Sequence, residues 1–184
     1  NSNTQIIPPS DDLYHELQFS PDGNFIYFVR SEPKEKNVSS LYRAPVLGGT
    51  PERVVHDLRS NISFSPDHSR MVFLRAKLNE GKFDLIISNA DGSNEKLLAE
   101  EGARLGSPAW SPDGKMIAET EWFAGDSSVA TLDLFDAATS QKRILLKSDA
   151  LLDDPNWLPD ESAILVLSSS RTSNFNRAQI GIVS

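Results

Sequence analysis

The stretch Leu17–Arg30, LQFSPDGNFIYFVR, decides the fold because it recurs three times further along the chain. Its counterparts are ISFSPDHSRMVFLR from Ile62, PAWSPDGKMIAETE from Pro108 and PNWLPDESAILVLS from Pro155. The prolines Pro21, Pro66, Pro112 and Pro159 are separated by steps of 45, 46 and 47 residues. An aromatic stands two places before each proline: Phe19, Phe64, Trp110 and Trp157. An aliphatic residue or Met stands five places after: Ile26, Met71, Ile117 and Ile164. A near-constant period of this length is the mark of a repeat architecture.

Each unit reads as strands joined by tight turns. Proline presets the first central position of a β-turn, and Asp and Gly tolerate the rest of its geometry. The strand after the turn is short and nearly all apolar (Phe25–Val29, Met71–Leu74, Ala163–Leu167), which suits a strand buried on both faces. A third strand is expected over 40–45, 83–89, 130–136 and 178–184. A short fourth is expected over 53–55, 96–99 and 143–146, with none in the last repeat. Four-stranded blades over about 13–55, 58–99, 105–146 and 153–184 make an all-β propeller. Thr4–Ile7 is expected to serve as a closing outer strand, because Ile6-Ile7 stands before Pro21 as Leu97-Leu98 stands before Pro112. Closure in cis, closure by a second chain in a homodimeric ring, and a partial ring are all open. Glu119, Thr120 and Glu121 replace apolar residues in the third repeat, so its second strand is expected to end early or to lie at an altered edge.

The motif resembles the WD40-like PD40 repeats of the TolB-like β-propellers, over essentially the whole chain. SLYRAPVLGGTPERVV, SFSPDHSRMVFLR and LIISNADGSNEKLL are similar to propellers fused to bacterial serine/threonine kinases or winged-helix regulators. That resemblance implies a sensor or interaction module of a larger signalling protein. The sequence departs from the pattern at His68, Leu158 and Glu161.

Composition narrows the chemistry. The 184 residues carry 18 Lys plus Arg against 26 Asp plus Glu, a net charge of -8, which opposes a phosphate-gripping nucleic-acid surface. No apolar run approaches the ~20 residues of a membrane helix. Cys is absent, which excludes disulfides and thiolate chemistry. Asn1 in place of Met reads as an excised or processed chain. A periplasmic or extracytoplasmic location is favoured over a cytoplasmic one.

No nucleophile elbow, phosphate-binding loop, dinucleotide fingerprint or HExxH motif occurs. The three histidines, His15, His56 and His68, are scattered, and no pair is spaced to chelate from one element. No catalytic residue, metal site or cofactor is therefore expected. Asp22, Asp67, Asp113 and Asp160 read as turn-capping residues rather than calcium ligands, since each lies in a different repeat. Arg30 and Arg75 fall nine places after their prolines, at the end of a strand. Arg59 and Arg104 fall in the connections between repeats. Four arginines on one loop face would form a carboxylate- or anion-binding patch, the competing reading being local pairing with Glu32, Asp57 or Glu101. Trp122 opens a long loop and is a candidate anchor for a partner. The expected function is non-catalytic binding of a protein or small molecule. The alternatives are a propeller that gates a hydrolase and a TolB-like periplasmic envelope scaffold.

Overall fold

The computed structural model describes residues 5–20, 22–31, 39–77, 80–101, 104–122, 129–169 and 178–184, with the backbone alone at 101, 104, 105 and 178. Among these residues the structure is all strand and turn, and the strands within each blade pair antiparallel. Two compact units, Asn1–Arg59 and Ser60–Ser184, divide the chain.

The first unit is one blade. Its strands β1 (Leu13–Phe19), β2 (Phe25–Ser31), β3 (Ser39–Pro45) and β4 (Glu52–Leu58) pair in chain order. Aromatic and β-branched side chains on β2 favour the pleated conformation. Phe28, Tyr42 and Ala44 form a buried cluster on one face of the sheet, with Ile7 and Ile26 packed against it. Ile7 thereby departs from expectation. Gln5–Ile7 form no strand, and Thr4 lies outside the described residues. Pro8 and Pro9 remove two amide donors from any extended ladder there, and Ile7 finds apolar surface on its own blade.

The second unit holds three sheets. In the first, β5 (Ser63–Phe64), β6 (Arg70–Lys77), β7 (Lys82–Asn89) and β8 (Lys96–Glu101) pair in order. In the second, β9 (Arg104–Leu105) and β10 (Ala109–Trp110) share one edge of β11 (Met116–Trp122), which pairs with β12 (Ala130–Asp136) and then β13 (Lys142–Ser148). The third comprises β14 (Leu151–Trp157), β15 (Ile164–Ser169) and β16 (Ala178–Val183). The outer strands run two to four residues longer than the sequence pattern indicated. Val72, Leu74, Leu85, Ile87 and Leu98 pack against Trp110, Ile117 and Phe135 between the first two sheets. Ala118, Leu132 and Leu134 pack against Leu152, Ile164 and Val166 between the second and third. Trp110 is thus buried between sheets, as its spacing suggests, whereas its counterpart Phe19 is 65% exposed.

The repeated corner explains why these strands meet. The fourth residue of each corner donates its amide to the carbonyl of the first: Gly23 to Ser20, His68 to Ser65, Gly114 to Ser111 and Glu161 to Leu158. That fourth residue has positive φ in every copy, at 71°, 61°, 74° and 60°. His68 and Glu161 therefore accept a left-handed backbone that glycine adopts freely. Ser65 Oγ donates to Asp67 at 2.6 Å and accepts the Arg70 amide at 3.0 Å, and Ser111 repeats this with Asp113 and Met116 at 2.7 and 2.9 Å. The aspartates also accept the amide two residues on: Asn24, Ser69, Lys115 and Ser162, at 3.0 to 3.1 Å.

These contacts set an acid limit on stability. The Ser20 hydroxyl holds the Asp22 carboxyl down at about 2, Ser65 does the same for Asp67, and Lys115 does so for Asp113. Ser162 lowers Asp160 as well. A carboxyl with a depressed folded pKa contributes stability above its unfolded pKa and loses it as pH falls through the folded value. The urea midpoint is therefore expected to decline progressively from about pH 4 to about pH 2. Replacing Asp67 and Asp113 with Asn is expected to flatten that decline; an unchanged profile would show that the corners do not titrate.

Candidate functional site

Strand ends position the candidate side chains. Arg30 ends β2 with its Nε 3.3 Å from the Asp12 carboxylate and its guanidinium 4.4 Å over the Tyr42 ring. Arg75, on β6, makes a two-pronged contact to Glu95 at 2.6 and 2.7 Å and lies 5.6 Å over Phe73. That pairing lowers the Glu95 carboxyl below its ordinary range. Both guanidinium groups are folded back on their own blade, which suits a delocalised cation that stacks and forks at once. Their partners, Asp12 and Glu95, differ from those expected. Glu32 lies outside the described residues and Asp57 contacts His56 at 2.8 Å. Arg59 is exposed in the first unit. Arg104 pairs by backbone with Trp122 across β9 and β11, its side chain lying outside the description.

Trp122 is half-buried at the end of β11. Its ring packs on the cluster of Ala118, Leu132 and Leu134. It faces Ala130 of β12 in register, at the mouth of the loop whose residues 123–128 fall outside the description. The indole is therefore held by packing while part of it stays open to solvent.

The third repeat contains a group that reading in one dimension missed. β11 does not end early: it runs to Trp122, and Glu119 and Glu121 are buried in it. Glu119 stands opposite Asp133, and Glu121 opposite Thr131. Lys142 on β13 reaches both Glu121 and Asp133, at 3.0 and 3.1 Å. Thr131 donates to Asp133 at 2.9 Å. Burial pushes the Asp133 carboxyl up, while Lys142 draws it down. Glu119 and Glu121 alternate on one strand and Thr131 and Asp133 on the next, so shared-face periodicity was the available signal; the cross-strand register that joins them was not. Among the described residues no set of three His, Cys, Asp or Glu is arranged to hold a metal ion. The group's evident work is to let charged residues occupy the space between two sheets.

Known proteins share this architecture. No protein-family model matches the chain. A stretch of 68 residues is 40% identical to the Tol-Pal system protein TolB of Wigglesworthia glossinidia brevipalpis, covering 36% of this chain and 16% of that protein. The chain spans well under half of such relatives. The crystal structure of TolB from Acinetobacter baumannii superposes with a TM-score of 0.70 at 19% identity, over 93% of this chain and 43% of that one. The β-propeller domain of the trilobed protease from Pyrococcus furiosus, described as having an open velcro topology, matches at 0.69 and 14% identity over 94% and 55%. With its repeated corners, antiparallel sheets and face-to-face packing, the chain has the fold of the TolB-like β-propellers.

Proposed function

We propose that the chain is a non-catalytic binding module that takes a peptide or small ligand at the strand ends of its blades, as the interaction part of a larger bacterial signalling protein. The placement of Trp122 carries this reading: an indole anchored from below by Ala118 and Leu132 and partly open above. Rigid aromatics of this kind dominate binding energy because little side-chain entropy is lost on contact. Arg104 pairs with Trp122 by backbone across β9 and β11. Arg75 adds positive charge at another strand end of the same unit, exchanging Glu95 for a carboxylate of the partner. The favoured ligand pairs an apolar group with a carboxylate.

The test uses a fluorescein-labelled peptide of alternating Asp and Phe. Saturable binding to the wild-type chain is expected, weakened at least about tenfold, or ~1.4 kcal/mol, in Trp122→Leu and in Arg104→Gln at unchanged thermal midpoint. Absence of saturable binding, or equal affinity in the variants, would overturn the assignment.

A second reading is favoured by the fold match to a protease's propeller domain: a blade array that shapes access to a catalytic domain. The 40% identical stretch favours a third, a scaffold in an envelope complex of the Tol-Pal kind. Flanking gene sequence separates them. A kinase or DNA-binding domain supports the first, a hydrolase domain the second and a signal peptide the third.

A further inference from the structure

Strand β14 is broken by a bulge: its register on β15 shifts between Asp153 and Asn156. Inside the bulge Asp154 has a φ of 47°, a left-handed backbone that residues with a side chain seldom adopt. The bulge belongs to the repeat. Glu16 stands five places before Pro21 as Asp154 stands five places before Pro159. It has a φ of 57° within the corresponding register shift of β1 on β2. The fourth repeat adds what the first lacks, a proline directly after the strained residue, Pro155 in place of Leu17. A residue before proline prefers extended backbone, so Asp154 departs from preference twice. Leu152 and Pro155 are buried on either side and hold it there.

Asp154–Pro155 is the one Asp-Pro bond in the 184 residues. Such a bond has a chemistry of its own. The side-chain carboxyl is close enough in the chain to attack its own main-chain carbonyl carbon, and the proline nitrogen belongs to a tertiary amide. Here the bulge prepares both partners. Asn156 Nδ2 donates to the Asp154 carbonyl oxygen at 2.9 Å, which polarises the carbonyl toward attack. Partial burial, and then the Asp153 carboxylate beside it, raise the Asp154 carboxyl above its ordinary range, so it keeps its proton to higher pH. Asp153 is fixed in that place by accepting the Asp154 amide at 2.9 Å. Of the strands packed against β14, β10 and β15 carry no titratable residue. Glu119, Glu121 and Asp133 alternate with Ala118, Leu132 and Leu134, the residues that face this sheet. Asp136 is engaged by the Ala138 and Thr139 amides. Asp154 as a whole is exposed, so water reaches it.

We infer that Asp154–Pro155 is a self-cleavage site, at which the Asp154 carboxyl attacks its own main-chain carbonyl. A carboxyl oxygen bonds to the carbonyl carbon, and the C–N bond to Pro155 breaks. The carboxyl proton passes to the proline nitrogen, which leaves as a secondary amine. Water then opens the cyclic anhydride, so that Asp154 ends one fragment and Pro155 begins the other. β15 pairs with both halves of the cut strand, Ser168 with Leu152 and Leu165 with Asn156, so the nicked sheet stays assembled. The cleavage does not depend on whether Trp122 binds a ligand.

The test incubates the whole chain at about pH 5, above the range in which the corners titrate, and follows it by denaturing mass spectrometry. Fragments 1–154 and 155–184 are expected to appear at least about tenfold faster from the folded chain than from the same chain in urea, where only the ordinary lability of an Asp-Pro bond acts. The rate is expected to fall toward neutral pH as the carboxyl gives up its proton. Asp154→Asn, which tolerates a left-handed backbone but carries no acid, is expected to stay intact. Asn156→Ala is expected to cut about tenfold more slowly, the scale of one lost hydrogen bond, at an unchanged thermal midpoint. Absence of both fragments, or cutting in urea as fast as in the folded chain, would overturn the inference. So would wild-type cutting of Asp154→Asn or of Asn156→Ala.

Discussion

Lys142→Met is expected to lower the unfolding free energy at neutral pH by about 3 kcal/mol, the scale for stranding a buried charge. Lys142 Nζ lies 3.0 Å from Glu121 and 3.1 Å from Asp133. Both carboxylates are buried, Asp133 completely. Without the ammonium, Asp133 keeps the Thr131 hydroxyl but faces Glu119 across the strand pair with no compensating lysine charge. Lys142 Nζ also lies 5.4 Å over the Phe135 ring; methionine removes this charge but retains most of the aliphatic stem, so the loss reports charge more than packing. The pH dependence tests the cause. Burial already raises the Asp133 carboxyl in the native protein, and loss of Lys142 raises it further. A raised folded carboxyl pKa makes stability fall as pH rises from the unfolded value through the folded one. The deficit of the variant is therefore expected to be largest at neutral pH and to shrink toward about pH 4, where the carboxyls take up protons. Urea midpoints of the two proteins at several pH values give the answer; a deficit constant with pH would show that the lysine acts by packing.

Phe135→Ala is expected to cost about 3–5 kcal/mol by equilibrium denaturation, the usual range for a large-to-small change in a core. Phe135 is fully buried and stands opposite Ile117 in register. Its neighbours Val72, Leu74, Leu85 and Trp110 come from two sheets, and sheets fixed by their own ladders have little freedom to collapse into the void. Phe135→Leu is expected to recover most of the loss, because an aliphatic of similar size restores much of the lost contact. If the alanine variant loses less than about 1 kcal/mol, the two sheets are packed more loosely than their shared cluster implies.

Local grammar was legible in the residues and pairing across distance was not. The corners could be placed from Pro-Asp and a serine before it, because every contact they use lies within five residues. His68 and Glu161 looked like departures, yet both take the same left-handed backbone as Gly23 and Gly114. Glu119 and Glu121 looked like an interruption because a carboxylate in a strand interior is costly when considered alone. Lys142, two strands away, pairs with Glu121 and Asp133, and the β11–β12–β13 register is needed to see it. Ile6-Ile7 form no strand within this chain for a related reason. Its spacing matched Leu97-Leu98, but spacing carries no information about the competing apolar surface of Phe28 and Tyr42. Among the binding candidates, the position of Trp122 at a strand end was readable, whereas the carboxylates that hold Arg30 and Arg75 come from residues 18 to 20 places away and follow only from the fold.

The serine–aspartate corners also bear on how fast the chain acquires its structure. Each closes a ring of backbone and side-chain hydrogen bonds over five or six residues, so little loop entropy opposes it. Three such nuclei can form independently while the rest of the chain is still searching. The slow event is then expected to be the stacking of finished sheets rather than hairpin formation, since Trp110, Phe135 and Trp157 find partners from distant parts of the sequence.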